Sequence, residues 1–302
     1  MNMHASRTAE AGQQVRLALR QARLLNPFYR RHQAFFRFVD SHQKWMLLHL
    51  IAESAGSAAE GPMPLNGIAA TWIAERAGLL GIASRNTTLA FLGQLASYGY
   101  LKRQACRADG RMRLLAPSEP MRAILSEWTA GLVDTLGLAR PAGSLAMTSV
   151  YGMVARDIVA EAAYRTPAAD IRLVQSTRGG WLLMNDILCH VRPEDCGQRQ
   201  LAVRDFSISR AASQHGLSRS TLYRLLRETA ETGAFGWTRH CGQPVLWVDR
   251  DHLARFGAWN GLLLDAVGRT VGEAEGAQPT AGLTIFAPTA RDAISAPATT
   301  LL

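Results

Sequence analysis

The stretch Ile208–Leu226, ISRAASQHGLSRSTLYRLL, limits what this chain can fold into more than any other. Ala212 sits four residues before Gly216, where a small side chain lets two helices approach. Glycine there can take the left-handed backbone that ends the first helix. Ser218 is placed to offer its hydroxyl to the free amides of a following first turn. Leu222, Leu225 and Leu226 recur at helical spacing and mark the face to be buried. Arg219, Ser220, Tyr223, Arg224 and Arg227 then remain outside, side chains suited to phosphates and base edges. The segment Phe206–Arg227 holds four arginines and no acid. The spacing predicts a helix-turn-helix that recognises DNA.

The same unit recurs upstream. Ser84-Arg85-Asn86-Thr87-Thr88 opens a helix as Ser218-Arg219-Ser220-Thr221 does, and Gly99 follows Ser84 at the distance that separates Gly233 from Ser218. Ala74 and Gly78 repeat the Ala212 and Gly216 pair, with about four extra residues, Leu80 to Ala83, in the turn. Trp45 matches Trp181, and Trp128 matches Trp259. Four landmarks thus recur in order, at offsets of 136, 138, 134 and 131 positions. The pattern predicts an internal duplication.

At 302 residues, 48% hydrophobic and 19% charged, the chain is long enough for two globular domains, each with a sizeable core. The expected division is 1–139 and 140–276, with a disordered tail over 277–302 that is rich in Ala, Thr and Pro. The net charge is +9, and all but Lys44 and Lys102 of the 33 basic residues are arginine. That surplus suits a polyanionic partner, though it speaks of fields rather than of fold. The four cysteines fit neither a disulfide framework nor a metal site, and read as idle thiols. No secretory leader and no membrane span is visible, so a cytoplasmic, nucleoid-associated protein is expected. No P-loop, nucleophile elbow or paired zinc motif occurs, and no catalytic role or cofactor is expected.

Along the chain, residues 8–25 read as a helix ended by Asn26-Pro27. Phe28 to Val39 mixes phenylalanine with arginine and reads as a helix with an aromatic core face. Trp45–Ser54 follows, then a Gly/Ala/Pro-rich loop over 55–64. Helices near 67–77 and 84–98 precede two strand-like runs, Tyr100–Ala105 and Met112–Ala116, joined by a turn at Asp109-Gly110. A closing helix runs from Pro117 to about Leu136, and Ala139–Gly143 is the expected linker. The second half repeats the plan, with a helix at Trp181–Val191, a loop over 192–200, and helices at 208–215 and 218–232. A hairpin around Cys241-Gly242 follows, then a closing helix capped by Asp251. The fold class expected is mainly α with small β-hairpins. It comprises two tandem winged helix-turn-helix domains joined by a helical layer like that of a dimer.

Residues 66–122 resemble the DNA-binding core of MarR-type regulators. The resemblance lies in Asp109-Gly110-Arg111-Met112-Arg113, similar to that family's wing, and in Pro117-Ser118-Glu119-Pro120-Met121-Arg122, similar to the start of its next helix. In the second half the helix-turn-helix is similar and the acidic-turn-arginine wing is absent. The resemblance implies a winged-helix regulator whose dimer halves are joined in one chain, with double-stranded DNA and a small-molecule effector as partners. By its motif, DNA contacts fall on Ser84, Arg85, Asn86, Thr88, Arg107 and Arg111 in the first half. In the second they fall on Ser218, Arg219, Ser220, Thr221, Tyr223, Arg224 and Arg239. Two unlike recognition helices about 34 Å apart would read an asymmetric operator. Such a chain would act as a pseudo-dimeric monomer or a homodimer. A plasmid-type replication initiator and a non-enzymatic interaction scaffold are the competing readings.

Overall fold

The computed structural model describes residues 2–60, 67–106, 111, 113–141, 147–240 and 243–274. The expected turns at Asp109-Gly110 and Cys241-Gly242, residues 142 and 143 of the expected linker and the expected tail over 277–302 lie outside the described residues.

Helix α1 (Asn2–Arg31) continues through Asn26-Pro27, where the sequence predicts a stop. Proline removes one helical hydrogen bond and crowds the preceding turn. Burial on both sides of it outweighs that cost, since Leu25 and Phe28 are each no more than 3% exposed. The short α2 (Gln33–Phe36) buries Phe35 and Phe36 and leaves Arg37 outside, as an aromatic core face requires. Helix α3 (His42–Glu60) extends past Ser54, so residues 55–60 of the expected loop are helical. Three alanines in that stretch carry the helix onward, alanine being its best former.

Next come α4 (Ala70–Leu79) and α5 (Arg85–Ser97), then an antiparallel pair, β1 (Leu101–Ala105) and β2 (Arg113–Pro117). Helix α6 (Glu119–Leu136) starts where Ser118 Oγ accepts from the Met121 amide and ends at left-handed Gly137. Three helices follow, α7 (Met147–Ala160), α8 (Ala162–Arg165) and α9 (Ala169–Ser176), then α10 (Gly180–Cys189). The expected loop over 192–200 contains a 3-10 turn at Pro193–Gly197 and opens β3 (Gln200–Val203). Helices α11 (Ile208–Gln214) and α12 (Arg219–Glu231) precede β4 (Phe235–His240) and β5 (Gln243–Asp249). The second sheet is therefore three-stranded, in the order β3-β5-β4, with Leu246 between Val203 and Trp237. Helix α13 (Arg250–Ala274) is capped by Asp249, not Asp251: Asp249 Oδ1 accepts from the amides of Asp251 and His252 at 3.0 and 2.9 Å.

The buried side chains form two cores, and these do not part at residue 139. Val15, Ala18, Leu19 and Ala22 of α1 join the core built on α10, α11, α12 and the three-stranded sheet. In return α7 and the Trp259–Val271 part of α13 join the core beneath α3, α4, α5 and α6. Helix α7 alone buries Val150, Tyr151, Val154, Ile158 and Val159, each no more than 1% exposed. At about 1.5–3 kcal/mol for each large apolar side chain, neither part of the chain can withdraw its helices cheaply. The tryptophans that recur in the sequence meet at the centre. Trp45 lies 4.7 Å from Trp128 and 5.2 Å from Trp181, ring to ring, and Trp259 stacks on Tyr164 at 4.9 Å.

Candidate nucleic-acid interface

The turn between α11 and α12 is built as its residues dictate. Gly216 has φ +65, and the Leu217 amide reaches back to the Ala212 carbonyl at 2.9 Å, closing the end of α11. Ser218 Oγ accepts from the Thr221 amide at 3.0 Å and so starts α12. Leu222, Leu225 and Leu226 are buried, which turns Arg219, Ser220, Tyr223, Arg224 and Arg227 outward on one face. Arg224 lies 3.7 Å from Glu228, while among the described residues Arg219 and Arg227 have no carboxylate partner. The hydroxyls of Ser220 and Thr221 each lie 2.8 Å from Ser218 Oγ, so this trio holds the cap before it can hold a phosphate.

The unit is fixed to the helical layer behind it. The Gln33 amide donates to the Gln214 carbonyl, and His215 Nε2 stands 3.5 Å from Asp186 Oδ2 on α10. Burial works against ionisation of Asp186, but His215 and the positive charge of Arg30 outweigh it and hold the carboxyl below its ordinary range.

Helices α4 and α5 make a comparable pair. The left-handed glycine is Gly81, φ +67, and the Ile82 amide bonds the Ala77 carbonyl at 2.9 Å. Gly78 lies within α4, so Ala77 and Gly81, not Ala74 and Gly78, have the turn geometry seen at Ala212 and Gly216. The turn is then longer than that of the second pair by one residue, not four. Ser84 Oγ accepts from the Thr87 amide at 3.2 Å, as Ser218 does for Thr221. Arg85 and Asn86 are exposed, with Arg85 3.9 Å from Glu75. Thr88 is a correction: it is wholly buried and its hydroxyl donates to the Ser84 carbonyl at 3.0 Å, so it belongs to the core and not to a DNA-facing surface.

Beyond Arg85 the exposed face of α5 carries Ala90, Gln94 and Ser97, none of them charged. The cations of this half sit in the hairpin instead, where Lys102, Arg103, Arg111 and Arg113 are exposed. Arg107 lies outside the described residues. In the other hairpin Arg239 is exposed, and Trp237 shares its face at 42% exposure. Trp237 and the exposed Arg210 of α11 extend the polar and aromatic surface around α12 beyond the residues singled out from sequence. The period-2 spacing of Trp237 and Arg239 on β4 is the signal that places them together.

The thiols stand apart from this surface. Cys106 is buried, and burial pushes Cys189 up to about 11 and Cys196 above its ordinary value. A thiolate, the reactive form, is therefore scarce at neutral pH at Cys189 and Cys196. Cys241 lies outside the described residues. Among the described residues no helix is long and apolar enough to cross a membrane, and no group of three or more His, Cys, Asp or Glu is placed to hold a metal ion.

Residues 203–233 match the family described as helix-turn-helix, Psq domain. The match takes in α11, the Gly216 turn and α12. It does not reach residues 66–122, on which the likeness to MarR-type regulators rests. No curated protein and no solved structure matches the chain. The chain thus carries a helix-turn-helix over residues 203–233 within a mainly α fold, a domain that suggests DNA as its partner.

Proposed function

We propose that this chain is a sequence-specific regulator of transcription that binds double-stranded DNA with two unlike recognition helices, α12 and α5. The observation that carries the reading is the correspondence between the two helix pairs. Ala77, Gly81 and Ser84 perform in one the duties of Ala212, Gly216 and Ser218 in the other. The likeness continues through the hairpins. Ile68 pairs with Leu115 as Val203 pairs with Leu246, and Ser118 caps α6 as Asp249 caps α13. The second member of each equivalence lies 131 to 135 positions after the first. Such a series is what an internal duplication leaves, and both copies would be winged helix-turn-helix units of the MarR-like kind. The exchange of α1, α7 and α13 between the cores is what a dimer joined by its terminal helices would become once its halves are covalently linked.

Work on the DNA would divide by charge. Helix α12 offers Arg219, Arg224 and Arg227 beside Tyr223, whereas α5 offers Arg85 and Asn86 and leaves the remaining positive charge to its hairpin. Arginine reaches guanine bidentately and asparagine suits adenine, so the two half-sites would differ. The reading is non-enzymatic and places the protein with the chromosome. Fluorescence anisotropy of a labelled duplex pool over a range of salt tests it. The expected slope of log K against log salt is about −0.9 for each phosphate neutralised, some six to eight in all. A slope near zero would contradict it.

A further inference from the structure

Where α1, α3, α6, α10 and α13 converge they leave a chamber of about 60 Å³. Tyr29, Trp45, Trp128, Trp181 and Trp259 supply much of its wall. All four indole N–H groups are already engaged, that of Trp45 by the Tyr164 hydroxyl. Trp128 donates to Tyr29 Oη at 3.4 Å, Trp181 to the Val39 carbonyl at 3.1 Å, and Trp259 to the Tyr164 carbonyl at 3.2 Å. These rings therefore offer a guest their apolar surfaces.

No Asp, Glu, Lys or Arg lines the chamber. His42, which does, is kept neutral at pH 7 because burial pushes its pKa down to about 4. Asn260 Nδ2 donates to Gln21 Oε1 on the facing helix. Among the fully buried polar atoms of the lining, Gln175 Nε2 has no hydrogen-bond partner, on a side chain 3% exposed. A buried amide donor is costly to leave unmade, and each such case calls for an occupant or a role.

We propose that this chamber is a binding site for a small uncharged carbonyl compound, a short amide or ketone, whose oxygen accepts from Gln175 Nε2 while its apolar part lies among the indole rings. An ion would enter without a counter-charge. An organic cation could gain from the aromatic faces, but it brings no acceptor and leaves the Gln175 donor unanswered. Size sets the other limit. The space falls well short of the ~150 Å³ cavity that admits benzene. A guest of about four non-hydrogen atoms fits, and for so few atoms the best attainable dissociation constant is on the order of tens of micromolar. The wall helices feed both cores, so occupancy would bear on both helix pairs. That consequence rests on the DNA-binding reading, while the site itself does not.

Saturation-transfer NMR on the full chain without DNA tests the site, with acetamide as probe and acetate and methylammonium as charged counterparts. Saturable acetamide binding in the range of about 0.1 to 10 mM is expected, with neither ion binding. Gln175→Leu, or Gln175→Met if the first variant fails to fold, should weaken acetamide at least about tenfold. Absence of saturable acetamide binding, meaning that the chamber holds only water, would overturn the proposal. So would equal binding of acetate, or an unchanged affinity in the folded variant.

Discussion

At the scale of single residues, the caps decide where α5 and α12 begin. Ser84 and Ser218 each satisfy an amide that would otherwise be orphaned at a helix start. Ser218→Ala should lower stability by about 1 kcal/mol with the fold retained, read as a shift in the urea midpoint; no shift would contradict the cap. Both serines are legible in the sequence because the cap pattern is local. Thr88 is not. Its polar side chain follows Ser84-Arg85-Asn86-Thr87 and looks outward, yet it fills the place Leu222 takes in the other unit, its hydroxyl satisfied by the Ser84 carbonyl. Thr88→Val should therefore leave DNA affinity within about twofold, the surface being untouched, while the missing hydroxyl costs on the order of 1 kcal/mol of stability. A tenfold loss of affinity in a folded variant would return Thr88 to the interface. Gly78 and Gly81 pose a similar problem, since composition allows either to end a helix and only the positive φ at Gly81 separates them.

At the scale of elements, helices α12 and α5 present unequal surfaces. Helix α12 presents three arginines and an exposed tyrosine, and α5 presents one arginine and one asparagine. Replacing Arg219, Arg224 and Arg227 together by alanine should weaken binding to a fixed duplex more than replacing Arg85 and Asn86. It should also flatten the salt dependence by about 0.9 for each phosphate that is no longer neutralised. Anisotropy with the folded variants reads both effects, and equal losses from the two helices would contradict the asymmetry. Long amphipathic helices and the paired strands are readable from periodicity. Strand β3 is not, because four residues beside a 3-10 turn carry too short an alternation, and Leu201 and Val203 become a strand only by pairing with β5. The stop expected at Pro27 fails for a related reason: the local penalty is outweighed by packing against residues far away in sequence.

At the scale of the whole molecule, the sequence divides near residue 139 while the cores interlock across it. Residues 1–139 alone would expose the face of α3 that α7 covers and the face of α1 that α13 covers. That fragment should lack cooperative unfolding and a dispersed amide spectrum; a well-folded fragment would contradict the interlocked cores. Buried histidines make the assembly acid-sensitive. Burial pushes His42 down to about 4 and His49 to about 3, against about 6.5 in the unfolded chain. At pH 7 the folded histidines are neutral and those of the unfolded chain largely so. Below about 6.5 the unfolded chain takes up protons that the folded one refuses, so stability falls by about 1.4 kcal/mol per pH unit for each histidine until about pH 4. The urea midpoint should drop between pH 6.5 and 4.5, and a flat midpoint would contradict the burial. The central claim, two unlike reading helices in one chain, is tested most directly by selection from a randomised duplex pool followed by sequencing of the bound fraction. The expected result is an enriched site with two dissimilar half-sites about ten base pairs apart, centre to centre. Enrichment of a single half-site, or of identical inverted half-sites, would contradict it.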